Sequence, residues 1–139
     1  MKSKIILLLI SAATNANAAS EKANYNTIYE AHSRRIGEVV ARYIKTHDDP
    51  CLTIEVLDPD KKWNILSRKK ICSINGKSFM NQVSYSDFEN ITFSDKGIAS
   101  SLLVFPLLPA ARERYDCLIP IKGPKIGALA CSEPTYEYD

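Results

Sequence analysis

The chain has 139 residues, with 18 Lys and Arg, 16 Asp and Glu, and a formal net charge of +2. Two of the basic residues lie in an N-terminal segment that we expect to be removed, so the mature chain is neutral. A neutral chain without a large basic block is a poor candidate for binding nucleic acid or for adhering to anionic lipid through charge.

Residues 1–18 have the pattern of a cleaved export signal. Two lysines precede the apolar run 5–10, and Ala16-Asn17-Ala18 places small residues where signal peptidase cleaves. The apolar run is shorter than the roughly 20 residues that a membrane-spanning helix needs. We therefore expect cleavage after Ala18. The mature protein, residues 19–139, is then a single domain in the bacterial periplasm or the medium, without a membrane anchor.

The cysteines point to an oxidising compartment. All four lie in the expected mature chain: Cys51, Cys72, Cys117 and Cys131. An even number of cysteines in an exported chain indicates two disulfides, for which three pairings are possible. No Cys-x-x-Cys is present and the chain has two histidines, so the pattern does not indicate a metal site, and we expect no cofactor.

The first predicted element is a long helix at residues 24–46. Apolar side chains recur there at steps of three and four, which is typical of an amphipathic helix. Thr27 followed by Glu30 resembles a capping box. Asp48-Asp49-Pro50 would end the helix, because the residue before proline avoids helical geometry.

A β-hairpin is predicted to follow. The apolar period changes to two in a strand that begins at Leu52. The turn Asp58-Pro59-Asp60-Lys61 has a clear cause, because proline presets its own φ and aspartate bonds the backbone ahead of it. A return strand runs to Ile71, and this hairpin brings Cys51 opposite Cys72.

Later turns predict further strands. Asn75-Gly76 and Asp95-Lys96-Gly97 are turn sequences between short apolar stretches. The last hairpin turns at Lys122-Gly123-Pro124-Lys125 and places Cys117 beside Cys131, so sequential disulfide pairing is favoured. One helix followed by strands with short connections predicts an α+β fold, in which the helix packs on an antiparallel sheet.

Catalytic patterns are weak in this sequence, so we assign no catalytic residues. It has no Gly-x-Ser-x-Gly elbow, His-Glu-x-x-His helix or phosphate loop, and oxidised cysteines leave no thiol nucleophile. The acid pairs Asp48/Asp49 and Asp58/Asp60 are suited to sugar hydrolysis, but aspartate is ordinary in turns. A small carboxylate hydrolase is therefore the least favoured alternative.

The segment 102–109 is the first candidate for contact with a partner protein. It is the most hydrophobic stretch of the mature chain and contains Phe105, Leu107 and Leu108. One interpretation is a buried strand followed by a loop on the core. The other is an exposed apolar patch on a loop stiffened by two prolines, which reduces the entropy lost on binding.

Two further segments are candidates for the same role. Arg68-Lys69-Lys70 is either a solvated strand edge that resists strand pairing or a site for an acidic partner surface. The tail that begins at Ser132 is expected to project from the sheet. Its Tyr136 and Tyr138 belong either to a mobile end or to a recognition element, because tyrosine buries much area at low entropic cost.

The most concrete functional hypothesis is a periplasmic inhibitor or immunity protein. It would act by protein–protein contact against a cell-wall hydrolase or a delivered toxin. The alternative is a structural or accessory subunit of an envelope secretion or surface assembly, which would use exposed strand edges. The oligomeric state is open at this stage.

Overall fold

The computed structural model describes residues 23–138, in which most residues belong to β-strands. The export signal predicted at residues 1–18 lies outside the described residues. Within the described part, no helix is long and apolar enough to cross a membrane.

The first sheet is an antiparallel meander that includes the segment predicted to be helical. Its strands, in spatial order, are β1 (Ile28–Ile36), β2 (Val39–Thr46), β3 (Leu52–Asp58) and β4 (Asn64–Ile71). Each strand pairs with the next one along the chain. Connections of only a few residues permit antiparallel neighbours and no others.

The helix predicted at residues 24–46 is wrong, and so is the α+β fold. Helical structure in this segment is limited to a 3₁₀ turn at Tyr25–Thr27. Gly37, with φ of +61°, lies in the tight turn between β1 and β2, a conformation that glycine adopts without steric cost. Seven of the eight residues of β2 are buried, on both faces of the strand. Its apolar residues therefore also fall at the three- and four-residue steps of a helix.

The second sheet is built around one long strand with a broken outer edge. A small hairpin, β5 (Ser73–Ile74) and β6 (Lys77–Ser78), precedes it. The sheet itself contains β7 (Tyr85–Ser94), β8 (Gly97–Phe105), β9 (Arg112–Lys122), β10 (Lys125–Ile126), β11 (Ala130–Cys131) and β12 (Thr135–Glu137). The three short strands β10, β11 and β12 pair in turn along the free side of β9. The tail expected to project therefore contributes β12 instead.

The two sheets face each other across one apolar core. Large side chains from both sheets are almost completely buried there: Leu52 and Ile54 from β3, Phe88 from β7, Leu102 from β8 and Ile119 from β9. Burying a side chain of this kind contributes about 1.5–3 kcal/mol to stability. The architecture is therefore a β-sandwich.

One lysine of the first sheet donates a hydrogen bond to a carbonyl oxygen at each edge of the second sheet. Lys45 Nζ donates to the Phe88 carbonyl oxygen on β7 at 2.9 Å. At the opposite edge, Lys69 Nζ donates to the Gly127 carbonyl oxygen at 2.9 Å. Unpaired edge carbonyls invite other strands, so these bonds protect the sandwich against edge-to-edge pairing.

Both disulfides favoured by the predicted hairpins are confirmed. Cys51 and Cys72 are bonded one residue beyond the paired ends of β3 and β4. Cys117 and Cys131 are bonded as direct cross-strand partners on β9 and β11. Two disulfides are consistent with an exported protein in an oxidising environment.

Candidate functional site

The loop between β8 and β9 presents two strongly exposed leucines. Leu107 is 61% exposed and Leu108 is 78% exposed. Pro106 and Pro109 bracket them in the sequence and restrict the backbone. The interpretation of this loop as part of the core therefore fails for both leucines, whereas Phe105, in β8, is half-buried.

The base of this loop is fixed by the segment that precedes β7. The Ser84 amide donates to the Phe105 carbonyl oxygen at 2.9 Å. Ser84 Oγ lies 3.0 Å from the carbonyl oxygens of both Phe105 and Pro106. The backbone at the base of the loop is therefore fixed, although the leucine side chains face solvent.

Aromatic and cationic groups flank the loop. The rings of Tyr85 and Phe105 are tilted against each other with centroids 5.2 Å apart, and the Arg112 guanidinium lies 5.4 Å from the Phe105 centroid. We call Tyr85, Phe105, Leu107, Leu108 and Arg112 together the loop-end surface. Aromatic residues and arginine are the types enriched in the energetic centres of protein interfaces.

The tyrosine tail lies at the same end of the second sheet. Tyr136 pairs with Glu113 in the β12–β9 ladder, and Glu113 lines a shallow cavity with both loop leucines. Tyr136 is 57% exposed and Tyr138 is 82% exposed. The structure therefore brings the tail near the loop-end surface, and contact of either with a partner remains a prediction.

The basic cluster lies elsewhere and is engaged within the protein. Arg68-Lys69-Lys70 belongs to β4 in the first sheet. Arg68 Nη2 lies 3.0 Å from Glu55 Oε2, Lys69 bonds the Gly127 carbonyl oxygen, and Lys70 Nζ lies 2.7 Å from Asp49 Oδ2. These side chains join parts of the fold, so the structure does not place them with the loop.

Glu55 lies at the centre of an ionic cluster in the first sheet. Its fully buried carboxylate accepts five hydrogen bonds, two from Arg42, two from Arg68 and one from Tyr25. Burial alone would raise the pKa of Glu55, but the bonds from Arg42, Tyr25 and Arg68 outweigh it and lower the pKa. The three strands β2, β3 and β4 are joined by this cluster.

The predicted acid pairs have turn roles. Asp58 Oδ1 accepts a hydrogen bond from the Asp60 amide at 2.9 Å, and Asp49 Oδ1 accepts one from the Cys51 amide at 3.0 Å. Asp48 Oδ2 accepts a hydrogen bond from the Thr27 hydroxyl, with the two oxygens 2.8 Å apart. Within residues 23–138, no group of three His, Cys, Asp or Glu side chains is arranged to hold a metal ion.

Sequence reasoning missed a polar pocket beside the loop-end surface. The cavity has a volume of about 340 Å³ and lies between the end of β2, the segment that follows it, and β7. Its lining includes Tyr29, Lys45, Phe79, Tyr85 and Ser86, and we call it the Ser86 pocket. Isolated serines and lysines give no sequence signal, since their significance here depends on which face of a strand they occupy.

The buried cation of this pocket, Lys45, is paired with carboxylates of the protein. Lys45 Nζ lies 2.7 Å from Asp87 Oδ1 and 3.6 Å from Glu30 Oε2. Burial alone would lower the pKa of Lys45, but the hydrogen bond and charge of Asp87 outweigh it, and the pKa is raised. Burial and the negative charges of Asp87 and Glu89 raise the pKa of Tyr85, so both tyrosine and lysine keep their protons at neutral pH.

No family model, curated protein or solved structure matches this chain. The two candidate features of the described residues are therefore the loop-end surface and the neighbouring Ser86 pocket.

Proposed function

We propose that this protein is an exported binding protein that acts by protein–protein contact through the loop-end surface. The most concrete form is a periplasmic inhibitor or immunity protein against a cell-wall hydrolase or a delivered toxin. The observation that carries the proposal is the exposure of Leu107 and Leu108, at 61% and 78%, on a loop bracketed by prolines.

The chemistry of this surface supports a protein partner. Two exposed leucines next to Tyr85, Phe105 and Arg112 combine apolar area with the aromatic and arginine side chains that dominate interface energies. Contiguous exposed apolar patches are uncommon on soluble proteins and often mark binding sites.

Rigidity supports the same proposal. Ser84 holds the base of the loop through bonds to Phe105 and Pro106, and two disulfides restrain the sandwich. A loop that is already ordered loses less conformational entropy on binding, so more of its contact energy contributes to affinity.

The inhibitor role is favoured by shape and location. A short apolar loop at one end of a sandwich can enter a concave site such as an enzyme cleft. The two disulfides support an oxidising environment, and the predicted export signal agrees with a compartment in which cell-wall hydrolases and delivered toxins act. The tyrosine tail, at the same end of the second sheet, would extend the contact.

A capture experiment tests the proposal. The oxidised protein is used as bait in a periplasmic extract, beside a Leu107→Ser/Leu108→Ser variant. A matched control carries Ile65→Ser/Leu66→Ser, which removes two exposed apolar side chains on β4 instead. We expect stoichiometric capture and inhibition of one hydrolase or toxin by the native and control proteins, and neither by the loop variant. Equal capture by all three proteins would contradict the proposal.

A second candidate function rests on exposed apolar side chains at the start of β4. Trp63, Ile65 and Leu66 are 57%, 39% and 42% exposed, whereas further along the strand Ser67 and Lys69 bond the Pro124 and Gly127 carbonyl oxygens at the edge of the second sheet. An exposed apolar patch of this kind suits a subunit of an envelope assembly. Concentration-dependent self-association in sedimentation experiments, abolished by Leu66→Lys, would favour this role; a monomer at all concentrations would exclude it.

A further inference from the structure

The outer edge of β1 is open in the described part of the chain. β1 is the terminal strand of the first sheet, and no described strand pairs with its other side. Residues 31–35 in the middle of the strand are all exposed. An edge of this kind presents unpaired amide and carbonyl groups, which can pair with another strand.

The other edges of the two large sheets are obstructed among the described residues. The free side of β9 is covered by β10, β11 and β12. β7 has a register shift around Asn90, whose φ is +52°, and a bulge of this kind interrupts a strand edge. β4 lies beside β10, where its Ser67 and Lys69 side chains bond carbonyl oxygens. β1, in contrast, is regular over residues 30–36.

The turn after β1 determines which of its backbone groups point to the open edge. Ile36 and Val39 are paired across a two-residue turn, and residues that flank such a turn exchange backbone hydrogen bonds. Hydrogen-bonded pairs alternate along an antiparallel ladder, so the even-numbered residues of 30–36 bond β2. The amide and carbonyl groups of residues 31, 33 and 35 therefore face outward.

The sequence of β1 is complementary to itself in antiparallel orientation. Its central residues are Glu30-Ala31-His32-Ser33-Arg34. When two copies of the strand are centred on His32, Glu30 of each copy lies opposite Arg34 of the other. Residues directly opposite each other share a face of the sheet, and opposite charges in such pairs stabilise it. Two ion pairs therefore form across the pairing, and neither brings like charges together.

The same register suits the backbone. Ala31 and Ser33 carry outward-facing backbone groups and lie opposite each other in the two copies, so they exchange N–H···O bonds. Glu30 and Arg34 then occupy non-hydrogen-bonded positions, where opposing side chains are closest. One register thus pairs both the backbone groups and the charges.

The internal contacts of the two charged side chains leave them able to bind a second copy. Glu30 Oε1 accepts a hydrogen bond from the Tyr43 hydroxyl at 2.8 Å, and Arg34 Nη1 donates to the Phe93 carbonyl oxygen at 3.2 Å. A carboxylate has about four acceptor positions and a guanidinium has five N–H donors. Both groups therefore retain capacity for an ion pair across the strands.

We propose that this protein forms a symmetric dimer in which β1 pairs antiparallel with β1 of a second copy. The two four-stranded sheets would join into one continuous sheet about a two-fold axis at His32. A second copy is favoured over a strand of another protein, because the charge pattern matches this chain's own sequence. A single strand pair buries little area, so the dimer should be weak and reversible.

This inference goes beyond the proposed function and does not depend on it. Pairing uses β1, whereas contact with another protein is assigned to Leu107 and Leu108. Arg34→Glu should dissociate the dimer and retain protein capture, while Leu107→Ser/Leu108→Ser should do the reverse. Failure of one proposal therefore leaves the other standing.

Sedimentation equilibrium of the oxidised protein tests dimer formation. Concentrations between about 1 µM and 1 mM cover the dissociation constants of weak interfaces. We expect a monomer–dimer equilibrium without larger species. Arg34→Glu places two carboxylates opposite each other and should weaken the dimer roughly tenfold or more. Glu30→Arg/Arg34→Glu restores opposite charges and should recover most of the affinity.

A backbone variant tests the pairing without changing charge. The amide of Ser33 faces the open edge, so Ser33→Pro removes a donor that the first sheet does not use. We expect this variant to fold and to be monomeric. Leu66→Lys, at an exposed position on β4, is the control and should dimerise like the native protein.

Cross-linking tests the register. At a non-hydrogen-bonded position opposing Cα atoms are about 4.5 Å apart, which is within the range for a disulfide. Because residue 32 lies opposite itself, His32→Cys should form a disulfide-linked dimer on a non-reducing gel. Ser33→Cys, equally on β1 but opposite Ala31, is the matched control and should cross-link far less.

Four results would overturn the proposal. The first is a monomer throughout the concentration range. The second is a dimer that neither Arg34→Glu nor Ser33→Pro weakens. The third is equal cross-linking by His32→Cys and Ser33→Cys. The fourth is loss of the dimer in Leu66→Lys alone, which would place self-association at β4.

Discussion

Glu55 and Ser86 are both buried polar residues of this sandwich, but their surroundings are opposite. The Glu55 carboxylate accepts five hydrogen bonds from three side chains, whereas Ser86 Oγ has no partner among the described residues. A buried polar group left unsatisfied costs about 1–3 kcal/mol. The cluster around Glu55 therefore joins strands of the fold, whereas the unpartnered hydroxyl of Ser86 is expected to lower stability.

The largest expected effect comes from breaking the Glu55 cluster. Glu55→Ala leaves Arg42 and Arg68 without their shared carboxylate. Because these side chains are 32% and 18% exposed and can be hydrated, we expect a loss at or below the about 3–5 kcal/mol typical of a fully buried pair. Urea unfolding measures the loss. Glu133→Ala, at an exposed position, is the control and should change the free energy of unfolding by less than about 0.5 kcal/mol. A loss below about 1 kcal/mol for Glu55→Ala would show that the cluster is not a main support of the sheet.

A smaller effect is expected on acidification. The pKa of Glu55 is lowered in the folded protein from its ordinary value of 4.5. Its ionised form therefore contributes stability that is fully present above about pH 4.5 and is lost as the pH falls through the lower folded pKa. The free energy of unfolding, measured by urea titration between neutral and acidic pH, should fall over this range. The Glu55→Gln variant should lose less, and an identical acid slope in both proteins would contradict the assignment.

The strand hairpins were predictable because their signals are local. Turn residues at 58–61 and 122–125 fix where the chain reverses. The register of the two strands on either side of each turn then determines which cysteines face each other. The helix prediction failed because β2 is buried on both faces, so no alternation of apolar and polar residues marks it as a strand. The glycine at position 37, with φ of +61°, was the remaining local sign of a turn.

The candidate sites also differ in whether a local sequence signal made them predictable. The exposed leucines at 107 and 108 could be singled out because an apolar run interrupted by prolines is visible in the sequence. The partners of the basic cluster at 68–70, namely Glu55, Asp49 and Gly127, could not be predicted because they are distant in sequence. Ser86 carried no signal, because only the folded structure determines whether a buried hydroxyl finds a partner.

Two buried serines of the second sheet, Ser86 and Ser100, test the comparison directly. Ser100→Ala removes a hydroxyl bonded to the Glu89 carbonyl oxygen, and should cost about 0.5–1.5 kcal/mol. Ser86→Ala removes a hydroxyl without a partner, and should leave the free energy of unfolding unchanged or raise it by up to about 1 kcal/mol. Thermal and urea unfolding measure both. A loss for Ser86→Ala equal to that for Ser100→Ala would mean that Ser86 is satisfied, for example by a bound water, and that the two sites are alike.

The smallest effect on stability is expected at the loop-end surface. Leu107→Ser/Leu108→Ser changes side chains that are 61% and 78% exposed, so the free energy of unfolding should change by less than about 0.5 kcal/mol. The loop base should persist, because Ser84 holds it through backbone atoms that the substitutions leave intact. A fall in melting temperature of about 4 °C or more would correspond to roughly 1 kcal/mol and would show that the leucines pack on the fold. A stable variant that loses its partner would instead mean that exposure of this apolar pair serves binding.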